Sequence, residues 1–273
     1  DPKGFLLSLE QGAILDEVQR VPELYSYLQG VLDSSPKRGW FVLTGSEHFL
    51  LHEKISQSLA GRVAYKNLLP FSLQELIGQK GLPKTPEDWI VKGFYPPVHV
   101  EELEPYEWLK SYISSYLEKD VRSLKNVHDL SSFQSFLQIC AGRIGQLVNL
   151  SGISIELGVS HNTVRSWMSI LETSFILFFL RPHHKNFRKR LVKSPKLYFW
   201  DTGLASTLLN IRNTEQLNTH PLKGALFENL VVADLAKQSF HHGENPSLFF
   251  WRDNTGHEVD LLLDKGTELI PIE

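Results

Sequence analysis

The chain has 273 residues and a formal net charge of −3, so its overall charge neither draws it to nucleic acid nor bars it, and only local clusters can decide. A single cysteine, Cys140, excludes an internal disulfide and a thiolate zinc centre, which fits a reducing compartment, and it reads as buried packing. The longest aliphatic and aromatic run, Phe175 to Leu180, has six residues against the roughly 20 needed to cross a bilayer, so the expectation is a soluble, cytoplasmic protein without a membrane partner.

Residues 1–78 alternate buried strands with helices in the manner of a parallel sheet: "GAIL", a helix after Pro22, "WFVLTG", a helix from about Glu47 to Ala60, then "VAYKNL". Pro- and Gly-rich text comes next, and helical spacing resumes at "EWLKSYISSYLEKDV", where Trp108, Tyr112, Ile113, Tyr116 and Leu117 share a face, and at "FQSFLQICAG". The expected plan is α/β: a parallel-sheet domain (1–78), a helical segment (79–148), a helix-turn-helix with a strand pair (149–212) and a terminal α/β domain (213–273). The first residues lead towards a strand without an initiator methionine, and "ELIPIE" stops inside a strand-like pattern, so both ends are expected to be cut.

The first chemical signal is "GAILDEV". A buried strand ending in Asp16 and Glu17 suits a site where one carboxylate stands near magnesium and the next polarises water for attack on a terminal phosphate. Alone, this is equally a solvated strand end. The next strand, "FVLTGS", ends in Thr44, Gly45 and Ser46, and a parallel neighbour would bring a small polar side chain beside the same ligand.

With "SLAGRVAYKNLLPFSLQEL", these stretches resemble the second half of the ATPase core in a prokaryotic family of AAA+-like P-loop ATPases. The resemblance makes the acidic strand end the Walker B motif. It implies Asp16 on the magnesium side, Glu17 as activator of water, Ser46 at the sensor position and Arg62 as an arginine able to approach phosphate from the same or a neighbouring subunit, with ATP and Mg as cofactors of the intact parent. Ser46 also suits the N-cap of a helix beginning at Glu47, and Arg62 an ordinary salt bridge. No G-x-x-x-x-G-K-[ST] loop occurs in these residues, so the chain by itself is expected to bind ATP weakly or not at all.

"NLSGISIELGVSHNTVRSWMSILE" reads as a helix-turn-helix. Gly158 permits the turn and Ser160 caps the second helix, while Leu157, Val159, Val164, Trp167 and Leu171 are buried. His161, Asn162, Thr163 and Arg165 lie at the exposed start of that second helix. Strands "FILFFL" and "KLYFW" then flank a loop that, with its borders, carries Arg181, Lys185, Arg188, Lys189, Arg190, Lys193 and Lys196 and no acid, the layout of a winged helix. Such a patch suits DNA phosphates, and it equally suits a protein contact or a plain solvated face.

Glu228 on a helix, Asp260 in "EVDLLLD" and Glu273 in "IPIE" have the order of a PD-(D/E)xK nuclease-like core, which gathers a divalent metal and uses a lysine not present after Glu273. The alternatives are a surface helix residue for Glu228 and an Asp260–Arg252 pair. The family resemblance extends through "KLYFWDTGLASTLL", "GALFENLVVADL" and "TGHEVDLLLD". It implies a C-terminal domain of unknown function with a winged helix and a partial restriction-endonuclease-like fold, and a place for a second Mg at the nuclease-like site. The rival expectations are a DNA-binding or DNA-cleaving protein, and a non-catalytic scaffold assembling with itself or with another protein.

Overall fold

A computed structural model describes residues 1–34, 38–45, 59, 61–117, 130–183, 194–253 and 255–273. The chain is mixed α/β and divides into two compact units, residues 1–66 and 67–273.

In the first unit, helix α1 (Pro2–Ser8) opens with Asp1 as N-cap, its carboxylate accepting from the Gly4 N–H, and with Pro2 in the first turn. This helix stands where the sequence suggested an approach to a strand. Strand β1 (Ala13–Leu15) comes next, then helix α2 (Leu24–Asp33) and strand β2 (Phe41–Leu43). Leu6, Tyr25, Leu28, Val31 and Leu59 form the core of this unit. β1 and β2 pair in parallel, with Ala13 opposite Phe41 and Leu15 opposite Leu43. Gly12, at φ +89°, lets the chain pass Trp40: a Cβ there would meet the Trp40 carbonyl oxygen at 2.2 Å. The expected third strand, "VAYKNL", is irregular, and among the described residues no strand lies beside it to complete a ladder.

The second unit begins at Asn67, so residues 67–78 pack with the later helices rather than with the first sheet: Leu69 and Leu76 are buried in the second core. Short helices α3 (Leu73–Leu76), α4 (Pro86–Lys92), α5 (Pro96–Val100) and α6 (Pro105–Tyr112) come first. In α6 the buried residues are Tyr106 and Leu109, while Trp108 and Tyr112 stack 5.4 Å apart at half-burial. Helix α7 (Leu130–Ala141) buries Phe133, Phe136, Leu137 and Cys140, and burial pushes the Cys140 thiol far up from its ordinary pKa.

Helices α8 (Leu150–Leu157) and α9 (His161–Thr173) precede strands β3 (Leu177–Pro182) and β4 (Lys196–Phe199). Then come helices α10 (Thr202–Leu208), α11 (Thr214–Thr219) and α12 (Lys223–His241), and strands β5 (Leu248–Arg252), β6 (Glu258–Asp264) and β7 (Leu269–Ile272). The five strands make one sheet in the order β4-β3-β5-β6-β7. β3 is antiparallel to β4 and parallel to β5, with Arg181 opposite Phe249, so the strand pair after α9 and the terminal strands share one ladder and one core.

Buried polar contacts fasten this unit. Asp201, fully enclosed, accepts the N–H groups of Phe94 and Leu204, each at 2.6 Å, capping α10 and gripping the turn after α4. Gly203 crosses Gly93 so closely that a Cβ on Gly203 would lie 2.8 Å from the Gly93 Cα. Asn229 of α12 donates to the Phe199 carbonyl and accepts its N–H, which satisfies the outer edge of β4.

Candidate functional site

The parallel register of β1 and β2 sets both strand ends at one edge. Thr44 N–H donates to the Leu15 carbonyl and Val18 N–H to the Thr44 carbonyl, so the ladder runs past the named strands and brings Asp16 beside Thr44. The Thr44 hydroxyl donates to Asp16 Oδ1, which also accepts the Glu17 N–H at 2.9 Å. Thr44 thus brings a hydroxyl to the acidic pair, and Ser46 lies outside the described residues.

Glu17 has φ +53° and ψ +39°, the left-handed region that a residue with a Cβ occupies only when its surroundings require it. Its carboxylate lies 3.5 Å from the Arg20 guanidinium one helical turn on. Arg62 is ion-paired to Asp33 at the end of α2, the ordinary salt bridge foreseen as one of its two readings. Asp16, Glu17 and Thr44 make a set of oxygen ligands suited to a hard cation and its water, so the residues present fit one wall of a magnesium-nucleotide site.

In the second unit α8 ends on Gly158 at φ +68°, and Ser160 caps α9 by accepting the Thr163 N–H at 3.0 Å. Val164, Trp167, Met168 and Leu171 are buried, Trp167 packing on Phe133 and Phe136 of α7, while Leu157 and Val159 are half-buried. Asn162 and Arg165 are exposed, and His161 and Thr163 are partly so. Of the basic loop, Lys185, Arg188, Lys189, Arg190 and Lys193 lie outside the described residues. Arg181 is exposed, and its charge offsets part of the upward push that burial gives the Glu172 carboxyl.

Lys196 does something else. It is buried, 4% exposed, and its Nζ reaches Glu258 Oε1 at 2.5 Å, Asp260 Oδ1 at 3.1 Å and Glu228 Oε1 at 3.3 Å. The Tyr198 hydroxyl donates to Glu228, and Arg252 Nε approaches the other oxygen of Glu258 at 3.6 Å. Asp260 therefore faces Lys196, and Arg252 belongs to Glu258. Glu228 is no plain surface residue, with its side chain 23% exposed. By the register of β6 and β7, in which Leu261 stands opposite Ile272, Glu273 stands opposite Asp260. Among the described residues no three His, Cys, Asp or Glu side chains are grouped so as to hold a metal ion. Sequence reasoning overlooked Glu258, although its spacing two before Asp260 puts both carboxylates on one face of a strand.

Residues 2–77 match the model of an AAA domain, residues 84–215 a domain of unknown function (DUF8612), and residues 223–273 a domain of unknown function (DUF4143). An uncharacterised protein of Mycobacterium tuberculosis is 29% identical over 265 residues, covering 97% of this chain and 58% of its own length. An uncharacterised protein of Methanocaldococcus jannaschii is 23% identical, covering 94% of this chain and 59% of its own. An uncharacterised protein of Haemophilus influenzae is 24% identical over 73% of this chain and 51% of its own. The chain thus spans less than two thirds of the length of these relatives. No solved structure matches it. Among the described residues no helix is long and apolar enough to cross a membrane.

Proposed function

We propose that the first unit carries the Walker B wall of an ATP-hydrolysing site, and that the protein containing this chain is an AAA-type ATPase whose nucleotide state is passed to the helix-turn-helix and terminal α/β parts. The observation that carries the reading is the junction of two parallel strand ends, where Asp16 and Thr44 share a hydrogen bond beside Glu17. The match of residues 2–77 to an AAA domain supports it. Asp16 holds the magnesium-side position, fixed by Thr44 and by the Glu17 amide, and Glu17 orients and polarises water. Magnesium, when bound with ATP, supplies charge neutralisation at the phosphates.

The test is ATP turnover in the longest reading frame that contains these residues. Glu17→Gln is expected to retain nucleotide binding and to lose hydrolysis by about a hundredfold or more. Turnover equal to wild type would remove Glu17 from this role.

A second reading, duplex DNA contact through α9 and the wing-like hairpin of β3 and β4, is favoured by the capped, exposed first turn of α9 with Asn162 and Arg165 at its surface. It predicts duplex affinity that falls steeply with salt, weakens on Arg165→Ala and is lost when Arg188, Lys189 and Arg190 are neutralised together. Absence of binding at low salt would leave the ATPase reading alone.

A further inference from the structure

The antiparallel pairing of β3 with β4 shows where β3 turns its backbone groups. On β4, Leu197 bonds away from β3: its N–H donates to the Gln146 carbonyl and its own carbonyl accepts from Gly145. Phe199 likewise bonds away from β3, to the Asn229 side chain. Their opposites across the ladder are Phe179 and Leu177, so the alternation of an antiparallel pair directs the N–H and C=O groups of these two to the far side of β3. The strand on that side is β5, but its ladder with β3 starts only at Arg181, opposite Phe249. Among the described residues no strand lies there beside Leu177 or Phe179.

Phe179 borders a cleft of about 320 Å³ walled by Phe175, Phe178, Trp200, Phe240, Pro246 and Phe249. Phe175 follows the end of α9 at φ +54°, in the left-handed region that glycine commonly fills at a helix end. A larger side chain is strained in that conformation, and strain of this kind gathers at ligand clamps; here it sets an aromatic ring on the cleft wall. Trp200, on the same wall, is 4% exposed, and its indole N–H meets no acceptor among the described residues. Opposite charges border the cleft, Glu172 from the last turn of α9 and Arg181 from β3.

We propose that this cleft takes an extended peptide of a partner protein as an added strand. The peptide's main chain bonds to Leu177 and Phe179, its apolar side chains enter between the aromatic rings, and a basic and an acidic residue flanking them meet Glu172 and Arg181. The open backbone groups recur at every second residue, which is the spacing of a strand and matches a main chain rather than a compact ligand. This inference uses no residue of the nucleotide site and stands or falls apart from the ATPase reading.

The test adds the blocked peptide acetyl-KVFVE-amide to the isotope-labelled full chain and follows amide resonances and amide hydrogen exchange. Saturable shifts at Phe179 and Phe249, with slowed exchange at Leu177 and Phe179, are expected at submillimolar peptide. The same peptide N-methylated at its three central residues keeps its side chains and loses its main-chain donors, and it is expected to bind about tenfold more weakly or worse. Phe175→Gly removes the ring and the strain together, and should weaken binding about tenfold while circular dichroism stays unchanged. Absence of shifts at millimolar peptide overturns the proposal, as does equal binding of the N-methylated peptide or a response confined to residues outside the cleft.

Discussion

Asp16 carries its oxygen in a position that two separate donors define, the Glu17 amide and the Thr44 hydroxyl. Thr44→Val keeps the shape and removes only the hydroxyl. Under the proposed function its expected effect, in the longest reading frame that contains these residues, is a fall in ATP turnover of about tenfold with little change in Tm, read by steady-state assay and thermal unfolding of the same preparation. The acidic pair was legible because a strand of apolar residues ran straight into it. The contact of Thr44 with Asp16 was not, because only the ladder continuing beyond Leu43 brings that residue beside the acidic strand end. Lys196 shows the same limit more sharply. Composition placed it with the cations of a basic loop, whereas its place at the start of β4 turns it inward to three carboxylates. Solvated and buried lysines look alike in one dimension.

Among the elements, the turn between α8 and α9 was the most legible, because backbone geometry dictates its residues. Gly158 takes the left-handed conformation that ends one helix, and Ser160 supplies the acceptor that begins the next. A Cβ at position 158 would meet nothing within 4 Å, so Gly158→Ala isolates the conformational strain and should destabilise the chain by about 1 kcal/mol, measured by chemical denaturation. Helix α1 was missed although Asp1-Pro2 has the residues of an N-cap and first turn, because its short apolar run suits the approach to a strand equally well. "VAYKNL" was read as a strand from its apolar pattern, but a pattern gives only the faces. A ladder also needs a partner, and Leu68 is fully exposed.

On the scale of the whole molecule, the second unit is held by charges that burial disfavours. Lys237 is 1% exposed, donates to the Phe71 carbonyl at 2.9 Å and lies 4.5 Å from the Phe94 ring centre. Burial lowers its pKa to about 8, against the opposing pull of Asp201, Asp234 and Glu75. Below pH 8 both folded and unfolded chains keep this proton. Between pH 8 and the ordinary lysine range the unfolded chain keeps it and the folded chain has lost it, so stability from this group rises with pH across that window. Lys237→Met should abolish that rise and, by leaving the Phe71 carbonyl without its donor, lower stability by about 1 kcal/mol or more at pH 7. Denaturant midpoints at pH 7 and pH 9 for both proteins check the two claims. Such a network was invisible beforehand, since Phe71, Phe94, Asp201 and Lys237 are remote in sequence. For the same reason the sequence did not show that residues 79–148, 149–212 and 213–273 share one core, nor that strands of the last two make one sheet.

That shared sheet bears on how the polypeptide matures. β3 takes its parallel neighbour from β5, which emerges from the ribosome only after α10, α11 and α12. Until then β3 has a raw hydrogen-bonding edge flanked by Phe178 and Phe179, a template for joining another nascent chain. A fragment cut at residue 212 would keep that edge for good, so excising the helix-turn-helix as a tidy module should give inclusion bodies, whereas residues 67–273 expressed together should stay dispersed.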